Sequence, residues 1–147
     1  MTAFVDTNIL IYCFDESEPE KRGVAVALIR RLLAADDPVM ISTQVAVEFL
    51  NRVRRSKSPP AQVAAQLETL DLFLCAPTTI DTVRSAWTLY TTQSVSWFDA
   101  LIVQSALDAR CSRLYSEDMQ HGRVFAGGLE VINPFAHSES GPTHATH

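Results

Sequence analysis

The sequence predicts an α/β fold built on a sheet of short, parallel strands. Mostly apolar runs at Ala3–Val5, Val39–Ser42, Arg113–Ser116 and Leu129–Ile132 alternate with longer segments. In those longer segments apolar residues recur every three or four positions, the period of a helix with one buried face. The stretches between most of these runs are too long for tight hairpins, so the strands pair in parallel through helical crossovers. The third observation is chemical: acids stand at the ends of predicted strands. In this fold class ligands bind beyond the carboxyl ends of the strands, near the point where the strand order reverses.

The elements follow in order. Ala3-Phe4-Val5 forms a buried strand ending at Asp6, and Thr7 is a candidate cap for a short helix through Tyr12. A polar loop from Asp15 leads to Pro19, which suits the first turn of a helix running to about Ala35. Val24, Leu28, Ile29 and Leu32 share one face of that helix, and Asp36-Asp37-Pro38 stops it. After the strand Val39–Ser42, either Ser42 or Thr43 caps a helix from about Gln44 to Arg55. Residues 56–60 break the chain, and a further helix is expected over Ala61–Leu74. Leu74-Cys75-Ala76 suggests a brief strand. Thr78 or Thr79 caps a helix from about Ile80 to Thr92, and Ser96 caps one from Trp97 to about Arg110. The strand Arg113–Ser116 runs into Glu117-Asp118, residues 122–128 read as a loop, and Leu129–Ile132 is the last strand. Residues 1–135 make one domain, and 136–147, rich in Ser, His, Gly and Thr, read as a disordered tail.

Composition removes several function classes. Of 147 residues 47% are hydrophobic and 20% charged, which suits one globular domain with its own core rather than a disordered chain. Twelve Lys and Arg against seventeen Asp and Glu give a net charge of −5, which disfavours a protein that coats nucleic acid. Local contact with nucleic acid stays compatible with it. No charge-free apolar run is long enough to span a membrane. The opening apolar stretch has no preceding Lys or Arg and is broken by Asp6, unlike a secretory signal. Cys13, Cys75 and Cys111 are odd in number, lack CxxC spacing and sit among apolar neighbours. They read as buried, reduced thiols, and the expected compartment is the cytoplasm.

Four acids carry the chemical argument. Asp6 and Asp118 end strands at the same edge of the sheet. Asp99 lies in the first turn of a helix, and Glu48 lies about one turn into the helix after the second strand. Glu48 adjoins apolar Phe49, and Asp99 stands between Phe98 and Leu101-Ile102, so both border a core-facing surface. Carboxylates gathered there would be costly to desolvate and would repel one another. A hard divalent cation, Mg²⁺ with Mn²⁺ as a substitute, removes both difficulties, whereas a site without His or Cys disfavours zinc. Such a cation polarises phosphoryl oxygens and activates water. Arg52, Arg54, Arg55 and Lys57 follow Glu48 and are candidate phosphate contacts. Ile9, Ile11, Tyr12, Phe14, Val24, Leu28 and Leu32 offer more apolar surface than one thin sheet would cover, and suggest a docking face. Trp87, Tyr90 and Trp97 read as core or interface.

The segments FVDTNILIY, STQVAVEFLN, SWFDALIVQSAL and RLYSEDMQHG together resemble the four acid-bearing segments of PIN-domain proteins. Their order spans Phe4 to Phe135, and the small size resembles the VapC-type toxins of toxin–antitoxin pairs. The resemblance implies a PIN-like, Rossmann-like three-layer sandwich and a metal-dependent endoribonuclease. It also implies a homodimer inhibited by a VapB-type antitoxin. It matches Asp6, Glu48, Asp99 and Asp118 to an acidic quartet, with Asn8 and Ser116 as polar supports. Glu117 and Asp118 compete for the fourth place, and Asp118 fits the motif better by position. A dehalogenase-type phosphatase is the rival enzyme, disfavoured because Asn8 stands where its second Asp would be. A catalytically inactive PIN-fold protein that only binds RNA or a partner is the non-enzymatic rival.

Overall fold

The structure, a computed structural model, describes residues 2–136. Six strands form one sheet: β1 (Ala3–Val5), β2 (Val39–Ser42), β3 (Leu74–Ala76), β4 (Arg113–Tyr115), β5 (Val124–Phe125) and β6 (Leu129–Ile132). The order across the sheet is β3-β2-β1-β4-β6-β5. Every pair is parallel except β5 with β6. The helices are α1 (Thr7–Tyr12), α2 (Pro19–Ala34), α3 (Thr43–Arg55), α4 (Pro60–Leu70), α5 (Ile80–Thr92) and α6 (Trp97–Asp108).

The order fixes the layers. From β1 the chain steps outward to β2 and β3, then returns across the sheet to β4. Right-handed crossovers therefore put α1–α4 on one face and α5–α6 on the other. The packing agrees: α1 contacts both α2 and α3, while α5 contacts α6. The strand order reverses between β1 and β4, and the site lies beyond their carboxyl ends.

The centre of the sheet is apolar on both faces. All of β1 is buried, as are Leu114 and Tyr115 of β4, as expected for strands covered on both sides. Phe4, Ile9, Leu10, Ile41, Val45, Phe49, Leu114 and Val131 are the larger side chains of this core. Each contributes about 1.5–3 kcal/mol through burial. A smaller apolar cluster of Ala86, Ala100 and Leu101 joins α5 to α6.

Several expectations need correction. Asp6, not Thr7, caps α1, because its Oδ1 accepts from the Thr7 amide at 2.7 Å. Of the alternatives left open, Ser42 caps α3 and Thr79 caps α5. Helix α4 ends at Leu70 rather than Leu74, and a turn drops Phe73 into the core. Helix α6 stops at Asp108, and Arg110 takes a left-handed φ of 58° as the chain turns toward β4. The segment 122–128 is not all loop: β5 forms there and reverses into β6. Gly127 and Gly128, with φ of 91° and 83°, carry that reversal, which side chains with a Cβ rarely allow. Cys75 is exposed, against the expectation of a buried thiol. Most of the apolar surface of α1 and α2 is used by the core: Ile9, Leu28 and Ile29 are buried, and Ile11, Tyr12, Phe14, Val24 and Leu32 pack against them. Trp87 and Tyr90 are exposed but pack with Trp97 at ring-centroid separations of 5.5–5.9 Å. The segment read as a tail lies, beyond Ala136, outside the described residues. Among the described residues no helix is long and apolar enough to cross a membrane.

Ser42 is fully buried and its hydroxyl accepts from the Val45 amide at 3.2 Å. Ser42→Ala strands that buried amide, so it should lower unfolding free energy by about 1–2 kcal/mol. Chemical denaturation checks this, with Ser42→Thr retaining more stability than Ser42→Ala.

Candidate active site

The sheet ladder continues one residue past β1 and past β4. The Asp6 amide donates to the Tyr115 carbonyl, and the Ser116 amide donates to the Ile132 carbonyl, each at 3.0 Å. Asp6 and Ser116 are thereby fixed side by side at the reversal point of the sheet. The Ser116 hydroxyl donates to Asp6 Oδ2 at 2.8 Å and accepts from the Asp118 amide at 3.3 Å. One buried hydroxyl thus ties the first strand's acid to the turn that carries the last one.

Asp99 arrives from the opposite layer. Ser96 caps α6 by accepting from the Asp99 amide, which sets Asp99 in the first turn of the helix. Asp6, Asp99 and Asp118 each place one carboxylate oxygen so that all three lie within 4.8 Å of one another. Asp6 is 5% exposed, Asp99 is half-buried and Asp118 is exposed. Asn8 Nδ2 donates to Asp118 Oδ2 at 2.7 Å and steadies it. Glu48 lines the same cleft, half-buried, and its Oε1 accepts from the Thr7 hydroxyl at 2.9 Å.

Glu117 turns the other way. Its carboxylate accepts from the Tyr12 hydroxyl and from Lys21 Nζ, both at 2.6 Å. Lys21 also lies over the rings of Tyr12 and Phe135, at 5.1 and 5.5 Å from their centroids. Adjacent residues leaving a strand point to opposite sides, so Glu117 locks the turn to α1 and α2 while Asp118 faces the cleft.

The electrostatics follow from this crowding. Burial pushes the Asp6 carboxyl up from 3.8 to about 7, with Asp118 and Asp99 adding to the rise. Hydrogen bonds from Ser116 and the Thr7 amide offset part of it. Asp118, although it reaches solvent, is raised as well, first by partial desolvation of its carboxyl in the cleft and then by Asp99 and Glu117, against a lowering by Asn8. The donors at the centre are all oxygen, one of them on a carboxylate that its surroundings leave short of positive charge. That donor set suits a hard divalent cation such as Mg²⁺ or Mn²⁺.

The cleft has a volume of about 290 Å³ and is also lined by Gln44, Asn51, Phe98 and Ile102. Gln44, Glu48 and Asn51 recur at i, i+4 and i+7 along α3, which is one helical face. Phe98 stands on α6 and is 63% exposed. The arrangement is a carboxylate floor between an amide-bearing wall and an aromatic rim.

The PIN-domain family model matches residues 3–125. The chain belongs to the PIN-domain family. Solved structures share this PIN fold at low identity. Mycobacterium tuberculosis VapC20, a toxin that cleaves the sarcin-ricin loop, is 22% identical, with a TM-score of 0.61, over 79% of this chain and 89% of its own. A toxin-antitoxin complex from Klebsiella pneumoniae is 22% identical, with a TM-score of 0.66, over 90% and 97%. VapBC2 from Rickettsia felis, bound to a promoter DNA fragment, is 19% identical, with a TM-score of 0.65, over 90% and 100%. Among curated proteins, none matches the sequence.

In this PIN domain the residues read from sequence divide clearly by place. Asp6, Asp99, Asp118, Glu48 and Asn8 line the cleft, and Ser116 lies beneath it. Arg52 lines a separate small pocket with Asp15, Phe49 and Gln66. Arg54 and Arg55 are exposed, Arg54 Nη2 donates to Asn51 Oδ1 at 2.8 Å, and Lys57 is exposed in the following loop. Thr7, expected only as a cap, Phe98, expected only as an apolar neighbour of Asp99, and Gln44 and Asn51 also line the cleft. The i, i+4, i+7 spacing of Gln44 and Asn51 around Glu48 is the signal that could have found two of them.

A raised Asp6 pKa has a definite sign in the metal-free protein. The folded state holds the proton more tightly than the unfolded chain, so the stability linked to protonated Asp6 is complete below 3.8 and is lost as pH rises through about 7. In EDTA, melting temperature should fall from about pH 4 to about pH 7. Asp6→Asn should flatten most of that fall, leaving the smaller share that Asp118 carries. A wild-type melting temperature independent of pH in this window would contradict the assignment.

Proposed function

We propose that this PIN domain is a divalent-metal-dependent endoribonuclease, the toxin of a type II toxin–antitoxin pair. The observation that carries the reading is the convergence of Asp6, Asp99 and Asp118 at the β1–β4 reversal, around a buried carboxylate whose pKa is raised to about 7. The similarity to VapC20 and to toxin-antitoxin complexes supports the toxin assignment.

In this reading Asp6 and Asp99 are the principal ligands of Mg²⁺, with Mn²⁺ able to substitute. Glu48 and Asp118 complete the site directly or through water. A divalent cation bound there supplies Lewis-acid activation of water and of the phosphodiester. The protein supplies the rest. Ser116 and the Thr7 amide hold Asp6 in one orientation, and Asn8 does the same for Asp118. Glu48, held by Thr7, or Asp118 accepts the proton of the attacking water. Arg54, Arg55 and Lys57, at the end of α3, meet RNA phosphates and set register rather than sequence. Arg52 belongs less well to that track because it faces the pocket of Asp15 and Gln66.

The partner in this reading is a VapB-type antitoxin whose basic side chain reaches the acidic cleft and competes with the cation. The protein acts as a homodimer in the cytoplasm. A nuclease assay tests the central assignment. The purified protein should cut single-stranded RNA with Mg²⁺ or Mn²⁺ and stop in EDTA. Asp99→Asn should fold normally and lose at least about a hundredfold in rate, the scale on which one correctly placed charged group contributes to catalysis. A folded Asp99→Asn protein of full activity would overturn the reading.

A further inference from the structure

The carboxylates account for the floor of the cleft but not for its rim. Phe98 lies immediately before Asp99, lines the cleft and leaves 63% of its surface in solvent. A phenylalanine there forgoes most of the stabilisation that burial would bring. It adds little to the core, since α6 packs against α5 through Ala100 and Leu101. Across the cleft stand Gln44 and Asn51. Both amide atoms of Gln44 are shielded from solvent, and neither has a hydrogen-bond partner. An unpaired, shielded amide costs about 1–3 kcal/mol, so turning the Gln44 side chain into the cleft, toward a complementary donor and acceptor, would relieve that cost.

A flat aromatic face opposite an amide that needs one donor and one acceptor has the chemistry of a nucleobase site. Bases stack on aromatic side chains whatever their identity, and single-stranded RNA leaves their edges open to amides. A phosphate does not fit this role, because it offers only acceptors and would meet four carboxylates. The cleft of about 290 Å³ is at the small end for ligand pockets, a size for one base rather than a stacked pair.

We propose that Phe98 and Gln44 form a nucleobase subsite beside the scissile phosphate, Phe98 stacking one splayed base and Gln44 reading its edge. The subsite rests on the nuclease reading and names the part of the substrate that this chain selects. Phe98 provides affinity for any base, and Gln44 provides preference among bases. Asn51, already accepting from Arg54, joins the same wall to the phosphate-facing end of α3.

The test compares binding of oligo(A), oligo(C), oligo(G), oligo(U) and an abasic ribose-phosphate oligomer of equal length. Fluorescence anisotropy in Mn²⁺ reads it, with Asp118→Asn protein as the reference that keeps RNA intact. The reference should bind its best homopolymer roughly five- to a hundredfold more tightly than the abasic oligomer, the range of one base–aromatic stack. Adding Phe98→Ala should remove most of that difference, and Phe98→Trp should keep it. Adding Gln44→Ala should level the ranking of the four homopolymers while leaving the gap to the abasic oligomer. Mn²⁺ affinity should stay at the reference value in all three, and the melting temperature should not fall in any of them, since Gln44→Ala removes an unpaired amide. If Phe98→Ala keeps the gap, or no gap exists, the base subsite is overturned. Cleavage of the homopolymers by wild-type protein in Mg²⁺ would then leave the nuclease reading standing. If wild-type protein neither binds nor cuts any of the RNAs, both readings fall together.

Discussion

The constraint on which this PIN domain depends is the burial of a carboxylate at the one place where its sheet reverses. Asp6 follows β1, the strand flanked by β2 and β4 and covered on both faces. Its backbone completes the ladder to β4, and the Ser116 hydroxyl and Thr7 amide hold its side chain inward. Asp99 and Asp118 are then brought close by two separate layers. A desolvated carboxylate surrounded by others is unfavourable, and the metal-free protein meets that cost by holding a proton on Asp6 to about pH 7. A divalent cation bound there would relieve the same strain in a different way, linking the stability of the fold to the chemistry of the site.

The supporting hydrogen bonds are arranged so that little can shift. Ser116 touches both Asp6 and the backbone of Asp118. Thr7 donates through its amide to Asp6 and through its hydroxyl to Glu48. The Glu117–Lys21–Tyr12 group fastens the turn from the back, and the close pair holds Lys21 firmly protonated, above its ordinary range. A rigid floor beneath a less constrained rim is a common division of labour: the floor positions charge, and the rim meets a variable ligand.

Much of this was legible in the sequence, for physical reasons. Short strands between long helical-period segments force parallel pairing, and acids at strand ends then meet at one edge. Ser42, Thr79 and Ser96 are strong capping residues placed just before helical runs, and all three cap. What the sequence hid depends on tertiary geometry. Asp6 caps α1 because its carboxylate turns back on the next amide, which no spacing rule reveals. Two-residue β5 is too short to show alternation, and its glycines read as loop. The apolar residues of α1 and α2 looked in excess only because their contacts with α3 and the carboxy-terminal segment were invisible. Glu117 and Asp118 could be ranked but not separated until Lys21 and Tyr12 were seen to hold Glu117 away from the cleft.

The central claim is that a divalent cation takes the place of the proton on Asp6. Isothermal titration of Mn²⁺ into the metal-free protein, repeated in buffers of different ionisation heat, counts the protons released per bound ion. With Asp6 at about 7, the account predicts close to one proton released at about pH 6 and a release falling toward none by about pH 9. Binding at pH 6 without proton release, or no Mn²⁺ binding at either pH, would contradict it.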